Sequence, residues 1–465
     1  MIRVLQLNDL LGPLNAVLSG ENTSFTRVNT DTRTITEGDL FVALRGERFD
    51  AHDFVAGAAS AGAAAVVVEQ AQAGVSIPQL EVEDTTIALG QIAQLNRRAF
   101  SRPVIALTGS CGKTTVKEML ATVLRQSGNV HVTQGNLNNH IGVPQTLLAL
   151  DGSADFAVVE MGASAMGEID YLASIAEPDV ALVNNVMPAH LEGFGSEQGV
   201  ADEKSNIYRQ LRTNGTAILN ADEPHSTAWR QELTQDRGDL TLVTFSSAST
   251  NADIYASEVR LGDAGGYHFN LCAKDQSIAV KLSLLGRQNV SNALAAAACA
   301  HAVNVPLAVI AEGLTHAQPF KGRLVSVLGI NNSRVIDDSY NANPGSVLAA
   351  ADVLIDMKNQ NREVMLVIGD LGELGANAES VLSTLGEDLA RLGVPALCTQ
   401  GDNSHHISDA YMKSAAGSAK HFSSQSDLNQ YLLTILTHNT VVLVKGSRSA
   451  RMENVVQAIT LGGEQ

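Results

Sequence analysis

The sequence predicts an α/β protein built from three domains with mostly parallel sheets. Short β-branched runs alternate with helical periods along nearly the whole chain, and 465 residues are too many for one compact core. The pattern is interrupted at Pro103 in "FSRPVIAL", and again at Pro319 and Gly322 in "THAQPFKGRL". These seams predict domains over residues 1–102, 103–320 and 321–465.

Charge and composition limit what the chain binds and where it works. The formal net charge of −18 repels nucleic acid and anionic membranes over most of the surface, so an anionic substrate needs locally concentrated donors. Asn8, Asp9 and Pro13 interrupt the N-terminus where a signal peptide would be apolar, and the most apolar runs fall short of the roughly 20 residues that span a bilayer. The four cysteines lie far apart, without metal-ligand spacing, which is typical of free thiols in a reducing compartment. We expect a cytoplasmic protein with no nucleic-acid partner and no membrane insertion.

The stretch "LTGSCGKTT", residues 107–115, is the first candidate functional motif. The strict nucleotide-loop pattern requires a glycine where Leu107 stands, and the earlier glycine of this stretch is Gly109. An apolar strand, "PVIALTG", precedes the loop. The residues after it follow the spacing of an amphipathic helix that Gly128 would end: Val116, Met119, Leu120, Val123 and Leu124.

A strand, a glycine-rich turn and a helix N-terminus with free N–H groups are the elements that a phosphate site needs. The short spacing removes none of them. We therefore predict that phosphate is held by Gly109, Ser110, Cys111, Gly112, Lys113, Thr114 and Thr115. The alternative is a glycine-rich turn that precedes a lysine by chance. Cys111 is predicted to fill space, because the chemistry of such a loop does not need a thiol.

Polar residues follow the ends of several predicted strands, where ligands bind in open parallel sheets. Glu160 ends "DFAVVE", and His190 follows "DVALVNNVMPA". Other strands run into Asn184, Asn185, Asp337, Asp338, Asp370 and Lys445. Beside the loop, Glu160 and His190 indicate a magnesium-nucleotide site, with Lys113 as a fixed positive charge and Thr114 as a hydroxyl for the metal.

Each of these residues also has an ordinary explanation when it is taken alone. Glu160 is then a solvated carboxylate at a strand end, and His190 is a structural loop histidine. Lys204, in "ADEKSNI", is a surface lysine beside Glu203.

Seven stretches of the sequence together resemble the Mur ligases, which build the peptide of the bacterial cell-wall precursor. They are "TGSCGKTTVK", "TQGNLNNHIGVP", "VVEMGASAMGEI", "NNVMPAHLEGFGS", "LLGRQNVSNALAA", "KGRL" and "DDSYNANPGS". The similarity runs from "TDTRTITEGDLFVALRGERFDAHDF" to "VKGSRSARME", nearly the whole chain, and the family's loop has the same short spacing. The resemblance implies a small N-terminal α/β domain for the UDP end of the substrate, a central P-loop ATPase and a C-terminal Rossmann-like domain for ATP and the incoming amine.

The resemblance also implies an ADP-forming amide ligase that works through an acyl phosphate. "DDSYNANPGS" is similar to the members that add D-alanyl-D-alanine to UDP-N-acetylmuramoyl-tripeptide, whereas the diaminopimelate- or lysine-adding relative usually carries Asp-Asn-Pro there. We expect a monomer that uses ATP and two Mg²⁺ ions. Whether the third tripeptide residue is diaminopimelate or lysine stays open. The alternative from another class is a nucleotide switch, but the Asn-Lys-x-Asp stretch of a GTPase does not occur in the sequence.

The resemblance assigns roles to individual residues around the nucleotide. Lys113 would contact the β- and γ-phosphates. Thr114 or Thr115 would serve one Mg²⁺ together with Glu160, and His190 would serve a second. Lys204 matches the lysine that many members carry as a carbamate. Asn289 resembles the adenine-contacting asparagine, Arg323 the arginine that reaches the γ-phosphate after domain closure, and Asp338 the ribose-binding carboxylate.

The remaining assignments concern the other substrates. Without the resemblance, the first segment is predicted to be a small α/β domain with surface arginines. With it, the candidates for the uridine and diphosphate are Thr32, Arg33, Arg45, Gly46, Asp50 and His52. Arg33 and Arg45 would supply local positive charge. Asn138 would contact the muramoyl part or its phosphates, and Asn341 and Asn343 lie in the stretch that is expected to select the amine.

Overall fold

The computed structural model describes residues 1–46, 49–188, 191–262, 265–359, 361–414 and 417–461. Helices alternate with strands, and most strand pairs are parallel, which confirms the predicted fold class. In these ranges no helix combines the length and the apolar character that crossing a membrane requires.

The first hundred residues form a small sheet flanked by helices. The elements are β1 Leu5–Gln6, α1 Asn8–Leu14, β2 Val17–Ser19, β3 Ser24–Phe25, β4 Arg27–Asn29, β5 Asp39–Val42, α2 Val55–Ser60, β6 Ala65–Val68, β7 Gln79–Glu81 and α3 Thr85–Ala99. The sheet has the strand order β2-β7-β6-β5-β4 and is parallel apart from β2, while β1 and β3 pair separately. Asp84 begins α3 by accepting hydrogen bonds from the N–H groups of Thr86 and Ile87.

The middle of the chain forms the largest sheet. Its elements are β8 Val104–Thr108, α4 Lys113–Leu124, β9 Val130–Val132, α5 Gly142–Leu148, β10 Phe156–Glu160, α6 Glu168–Ala176, β11 Val180–Val183, α7 Leu191–Phe194, α8 Glu197–Arg209, β12 Thr216–Asn220, α9 Ser226–Asp236, β13 Thr241–Ser246, β14 Ile254–Leu261, β15 Gly266–Ala273, β16 Gln276–Leu285, α10 Gln288–Ala302 and α11 Leu307–His316. The strand order is β16-β15-β14-β13-β12-β11-β8-β10-β9. The strands are parallel from β9 to β14, and β14 to β16 are antiparallel.

Strand β8 lies between β10 and β11, so the winding of this sheet reverses at the end of β8. This is the position where ligands bind in such sheets. The apolar residues predicted for α4 are all buried, but the helix ends at Leu124, before the predicted cap at Gly128. Gly128 is not among the glycines with positive φ, so it does not have the left-handed conformation of a glycine cap.

The last third of the chain forms another mostly parallel sheet. Its elements are β17 Val325–Leu328, β18 Arg334–Asp338, α12 Pro344–Lys358, β19 Glu363–Gly369, α13 Ala378–Leu392, β20 Ala396–Gln400, α14 His405–Ser414, β21 Ser418–Phe422, α15 Gln425–Ile435, β22 Thr440–Lys445 and α16 Glu453–Ile459. The order is β17-β18-β22-β19-β20-β21, with β17 antiparallel to β18. Apolar clusters cover both of its faces. Helix α12 reaches the middle sheet, where the Tyr267 hydroxyl donates to Asp356 Oδ2 at 2.7 Å.

One hydrophobic cluster continues from the first sheet into the middle sheet. It joins Leu40 and Val67 of the first sheet to Leu89 and Ile92 of α3, and these to Val104 at the start of β8. Helix α3 packs against both α5 and α6.

Arg97 reinforces this junction. Its side chain is fully buried and donates to the carbonyl oxygens of Ala176, Glu177 and Phe100 at 2.7, 2.8 and 3.0 Å, and to the Asp179 carboxylate at 2.9 Å.

We expect Arg97→Met to destabilise the protein by about 3 kcal/mol, because it leaves buried acceptors without a donor. Chemical unfolding of the variant measures the loss. Arg98→Met is the matched control, since the neighbouring Arg98 makes an exposed ion pair with Glu177 and should change stability by less than about 0.5 kcal/mol. Equal losses in the two variants would contradict a special role for Arg97.

Candidate active site

The loop between β8 and α4 needs glycine at position 112. Gly112 has φ of 78°, and a Cβ atom there would lie 2.6 Å from Asn292 Oδ1 and 2.7 Å from Asn184 Nδ2. A side chain is therefore excluded both by backbone conformation and by space. The short spacing is accommodated by close contact with polar residues from neighbouring elements.

The residues after β11 hold this loop in place. The N–H of Ser110 donates to the carbonyl of Asn185 at 3.0 Å, and the N–H of Cys111 donates to Asn185 Oδ1 at 2.8 Å. Asn184 Nδ2 donates back to the carbonyl of Cys111 at 3.0 Å. The two asparagines predicted at this strand end thus act as supports for the loop.

Lys113 is the first residue of α4 and folds back over the loop. Its Nζ donates to the carbonyl of Gly109 at 2.6 Å. Burial lowers the pKa of Lys113, and the nearby Glu160 carboxylate opposes that shift. The ammonium group is therefore held against the glycine-rich loop, at the helix N-terminus where a phosphate chain would bind.

Glu160 ends β10, beside Leu107 of β8, and its side chain is only 2% exposed. The alternative of a solvated carboxylate is therefore wrong. Its Oε1 accepts from Asn138 Nδ2 at 2.7 Å, whereas Oε2 is buried without a hydrogen bond in the described part of the chain. Asn138 thus orients this carboxylate, and its contact with the muramoyl part stays a prediction.

The residues at these strand ends fit a hard cation. Buried oxygens without a hydrogen-bond partner occur at Glu160 Oε2, Thr108 Oγ1 and Asn184 Oδ1. Such oxygens are the ligands that Mg²⁺ prefers. Within the ranges that the structure covers, no cluster of three His, Cys, Asp or Glu residues forms a metal site by itself. A magnesium ion here would depend on hydroxyl, water and phosphate oxygens as well as on Glu160. His190, the predicted ligand of a second ion, lies outside the described residues.

Lys204 is buried in α8 and only 1% exposed, so its alternative as a surface lysine is wrong. Burial, reinforced by the charge of Lys113, lowers the pKa of Lys204 to about 7. Its neighbour Glu203 is also buried and accepts from the N–H groups of Gly167 and Ile169 at the start of α6. A substantial fraction of Lys204 is thus an uncharged amine near neutral pH, whereas an ordinary lysine is almost fully protonated there.

Arg323, Asp338 and Asn343 face the loop from the last third of the chain. The guanidinium carbon of Arg323 lies 4.4 Å from the centre of the Tyr340 ring, and its buried Nε has no hydrogen-bond partner in the structure described. Asp338 pairs with Lys445 Nζ at 2.6 Å and accepts from the N–H of Leu324. A ribose at Asp338 would therefore share this carboxylate with Lys445.

The two asparagines expected to select the amine have structural contacts here. Asn343 caps α12 through the N–H of Ser346 and donates to Cys111 Sγ at 3.2 Å. Cys111 therefore links the loop to α12, in addition to filling space. Asn341 is exposed, and its carbonyl accepts from Lys445 Nζ at 3.0 Å. Both substrate roles remain predictions.

Asn289, predicted to contact adenine, lies at the start of α10 with its amide engaged. Its Nδ2 donates to the carbonyl of Leu285 at 2.7 Å, and its Oδ1 accepts from Asn292 Nδ2. Asn292 in turn accepts from Asn184, so the asparagines form a chain from α10 to the loop.

A cavity of about 1480 Å³ brings most of these residues together. Of the predicted site residues, those in its wall are Ser110, Cys111, Gly112, Lys113, Thr114, Thr115, Asn138, Glu160, Asn289, Arg323, Asp338, Asn341 and Asn343. Gly109 and Lys204 are not part of this wall. The cavity is large enough for a nucleotide together with part of a second substrate.

The residues predicted for the UDP end are not in this wall but in the first segment. Arg45 pairs with Asp50 at 2.9 Å and with Glu69 at 2.8 Å. Asp50 also accepts from His52 Nδ1, while His52 Nε2 accepts from the N–H of Glu69, so the imidazole proton lies on Nδ1. The N–H and ring of His52 and the Arg45 guanidinium lower the pKa of Asp50.

Arg45, Asp50 and His52 therefore form one cluster, with Gly46 next to Arg45 in the chain. Thr32 and Arg33 lie on a separate 3₁₀ turn, Thr32–Thr34, where Arg33 pairs with Asp31 at 2.6 Å. The positive charge predicted for both arginines is thus balanced by carboxylates in this structure.

Sequence reasoning missed two buried residues that support the site, Lys117 and Asn292. The signal for Lys117 was its position four residues after Lys113, one helical turn along the apolar side of α4. Asn292 had no such signal, because its role depends on the packing of α10 against the loop.

Comparison with known proteins agrees with this arrangement. The chain matches the model described as Mur ligase family, catalytic domain, over residues 24–97, the Mur ligase middle domain over 107–300, and the Mur ligase, glutamate ligase domain, over 322–448. It is 43% identical to the UDP-N-acetylmuramoyl-tripeptide--D-alanyl-D-alanine ligase of Escherichia coli (strain K12), over 98% of each chain. The ligase of the same name from Bacillus subtilis (strain 168) is 33% identical, over 94% of this chain and 93% of the relative.

Solved structures give the same result. The crystal structure of MurF from Acinetobacter baumannii is 36% identical, with a TM-score of 0.89 over 98% of each chain. MurF ligase from Thermotoga maritima, solved in complex with ADP, is 26% identical, with a TM-score of 0.81 over 93% of this chain and 96% of that one. Because the family models cover most of the chain and a relative is 43% identical across nearly all of it, the chain belongs to the Mur ligase family.

Proposed function

We propose that this chain is an ATP-dependent ligase that joins D-alanyl-D-alanine to UDP-N-acetylmuramoyl-tripeptide. The products are the pentapeptide precursor of peptidoglycan, ADP and phosphate, which places the enzyme in cell-wall synthesis and hence in the control of cell shape and division. The observation that carries the proposal is the large cavity that the short phosphate loop and Arg323 line together. The names of the full-length relatives support the choice of substrates.

The first step needs positive charge around the phosphates, because the attacking group is itself an anion. The terminal carboxylate of the tripeptide attacks the γ-phosphorus, the bond to the bridging oxygen breaks, and ADP leaves. Lys113 and Arg323 both line the cavity, and Arg323 is near enough for its charge to lower the pKa of Lys113. An unpartnered Nε makes Arg323 the donor available for the γ-phosphate.

In the second step the amine of D-alanyl-D-alanine attacks the acyl carbon. The tetrahedral intermediate then collapses, the C–O bond to phosphate breaks, and the amine loses a proton. We assign the approach of the amine to the part of the cavity lined by Asn341 and Asn343, at the N-terminus of α12.

We propose that Glu160, with Thr114 or Thr115, would hold one Mg²⁺, and that His190 would hold a second. The metal would neutralise phosphate charge. Lys204 is proposed to carry a carbamate, formed when its neutral amine adds CO₂ and loses one proton. A buried amine whose pKa is lowered to about 7 supports this, because the attacking form must be uncharged.

The domain roles follow from the same reaction. Residues 1–102 would bind the UDP end, 103–320 would bind ATP, and 321–465 would bind the dipeptide and close over the nucleotide. We further propose a monomer that works in the cytoplasm, where ATP and UDP-linked precursors are both supplied.

ADP release tests the proposal directly. With ATP and Mg²⁺ present, we expect release to rise only when UDP-N-acetylmuramoyl-tripeptide and D-alanyl-D-alanine are both added, with one pentapeptide formed per ADP. L-alanyl-L-alanine is the control for the configuration of the amine. A nucleotide switch would hydrolyse ATP without regard to the dipeptide, and that result would contradict the ligase.

A further inference from the structure

Lys117 is a buried cation beside the cavity that the proposed reaction does not use. Its side chain is fully buried in α4, one turn after Lys113. Its Nζ donates to the carbonyl of Thr133 at 2.8 Å, and lies 3.1 Å from Glu118 Oε1 and 4.0 Å from Glu160 Oε2. Because burying a cation costs free energy that an apolar residue would not, a lysine here needs a specific reason.

The contacts of Lys117 lead to the segment that holds Glu160. Thr133 Oγ1 accepts from the N–H of Glu160 at 3.0 Å, and Asn138 Nδ2 donates to Glu160 Oε1 at 2.7 Å. The carbonyl of Asn138 also accepts from the N–H of Gly162. Residues 133–138 thus hold both the backbone and the side chain of Glu160, and Lys117 fastens this segment to α4.

The distance between Lys117 Nζ and Glu160 Oε2 distinguishes an attraction between charges from a hydrogen bond. At 4.0 Å, Nζ attracts the carboxylate but is too far away for a hydrogen bond. Oε2 is therefore stabilised by a charge while its lone pairs stay free. A direct hydrogen bond would occupy the same lone pairs that a metal needs.

We propose that Lys117 is the positioning residue of Glu160, holding Oε2 as a free acceptor for the magnesium of the bound nucleotide. The inference rests on the proposed function, because it assumes that this carboxylate serves a magnesium-nucleotide complex. Lys117 acts through Glu160 and through residues 133–138, and contacts neither substrate.

The test is a double-variant cycle of Lys117→Met and Glu160→Gln, read by ADP binding. The Mg²⁺ concentration for half-maximal ADP binding is measured by calorimetry for the wild-type chain, both single variants and the double variant. Lys117→Met should raise this concentration by about 10-fold, the lower end of the effect of residues that orient metal ligands. The double variant should match Glu160→Gln alone. Lys358→Met is the control, because Lys358 donates to the carbonyl of Gly393 on an exposed surface and should leave binding unchanged.

Chemical unfolding of the wild-type chain and the three variants in EDTA, without metal, measures how much each change affects the stability of the fold. This separates the positioning of Glu160 from a general structural role of Lys117. If Lys117→Met does not fold, the double variant should, because the neutral amide that Glu160→Gln introduces needs no buried counter-charge. A double variant that also fails to fold, or effects of the two changes that simply add, would overturn the inference. If the wild-type chain binds ADP with Mg²⁺ but shows no dipeptide-dependent turnover, the proposed function is refuted. The double-variant cycle still tests the role of Lys117 in that case. Loss of all Mg²⁺-dependent ADP binding would refute both.

Discussion

Lys113→Ala is expected to reduce kcat by about 10³-fold or more, in the range found when a single phosphate-stabilising cation is removed. Lys113 is the cation that the structure holds against the loop, through the carbonyl oxygen of Gly109. Its hydrogen bond is to Gly109 within the same loop, so the fold should not depend on it. The variant should therefore melt near the wild-type temperature while its turnover is lost.

Two measurements test the effect of Lys113→Ala on folding and on turnover. Circular dichroism during heating checks the fold, and ADP release in the presence of both substrates checks the reaction. Lys413→Ala, at the end of α14 and outside the cavity wall, is the control that should keep full activity. Near-normal turnover of Lys113→Ala would remove the loop lysine from the mechanism.

Lys204→Ala should lose activity by about 100-fold, and short carboxylic acids such as acetate should restore part of it. The truncated side chain leaves a space in α8 that acetate could enter, supplying the carboxylate that the proposed carbamate would provide. Sodium chloride at the same ionic strength controls for a salt effect. Turnover should rise with acetate concentration and saturate, as binding to a defined cavity requires. The loss of about 100-fold corresponds to losing a residue that orients or ligates a metal.

Lys204→Arg provides a second comparison, because arginine stays charged and cannot form a carbamate under these conditions. It should be inactive and should not respond to acetate. Activity of Lys204→Ala equal to that of wild type, with no response to acetate, would show that Lys204 is only a buried structural residue.

The acidity of Lys204 also predicts how stability depends on pH. Its pKa falls from the ordinary lysine value of 10.5 to about 7 on folding, so between pH 7 and 10.5 the unfolded chain binds more protons there than the folded chain. The unfavourable contribution of Lys204 is complete below pH 7 and disappears as the pH rises towards 10.5. In buffer freed of CO₂, where Lys204 is an unmodified amine, chemical unfolding across this pH window should show a flatter rise in stability for Lys204→Ala than for the wild-type chain.

The parts of this protein that could be predicted from the sequence are those set by local patterns. The strand, loop and helix around Lys113 follow from apolar spacing alone, and parallel pairing brings Glu160 beside β8. The burial of Lys204 could not be obtained in this way, and for Lys117 the only local signal was its spacing from Lys113. A charged residue on a helix is usually exposed, and only the packing of α8 and α4 against the sheet buries these two.

The same limit applies to contacts between distant segments. The antiparallel pairing of β14 to β16 was not predicted. The sequence of a single strand does not show whether its neighbour runs parallel or antiparallel to it. The Asn343 contact with Cys111 joins residues 232 positions apart, so nothing in either local stretch indicates it. The prediction that Cys111 is only a space-filling residue missed this link for that reason.

The hydrophobic cluster that α3 shares with the first two sheets decides which parts of the enzyme can move. Separating these sheets would expose side chains such as Leu89 and Ile92 to water, at about 25 cal/mol for each Å² of apolar surface. The contacts of α12 with the middle sheet are smaller: they include the polar pairs Tyr267–Asp356 and Asn343–Cys111, which water replaces at little net cost, and the apolar side chain of Leu285. We therefore expect the UDP end of the substrate and the phosphate loop to travel as one rigid unit, while the last third of the chain swings alone to admit ATP and release ADP.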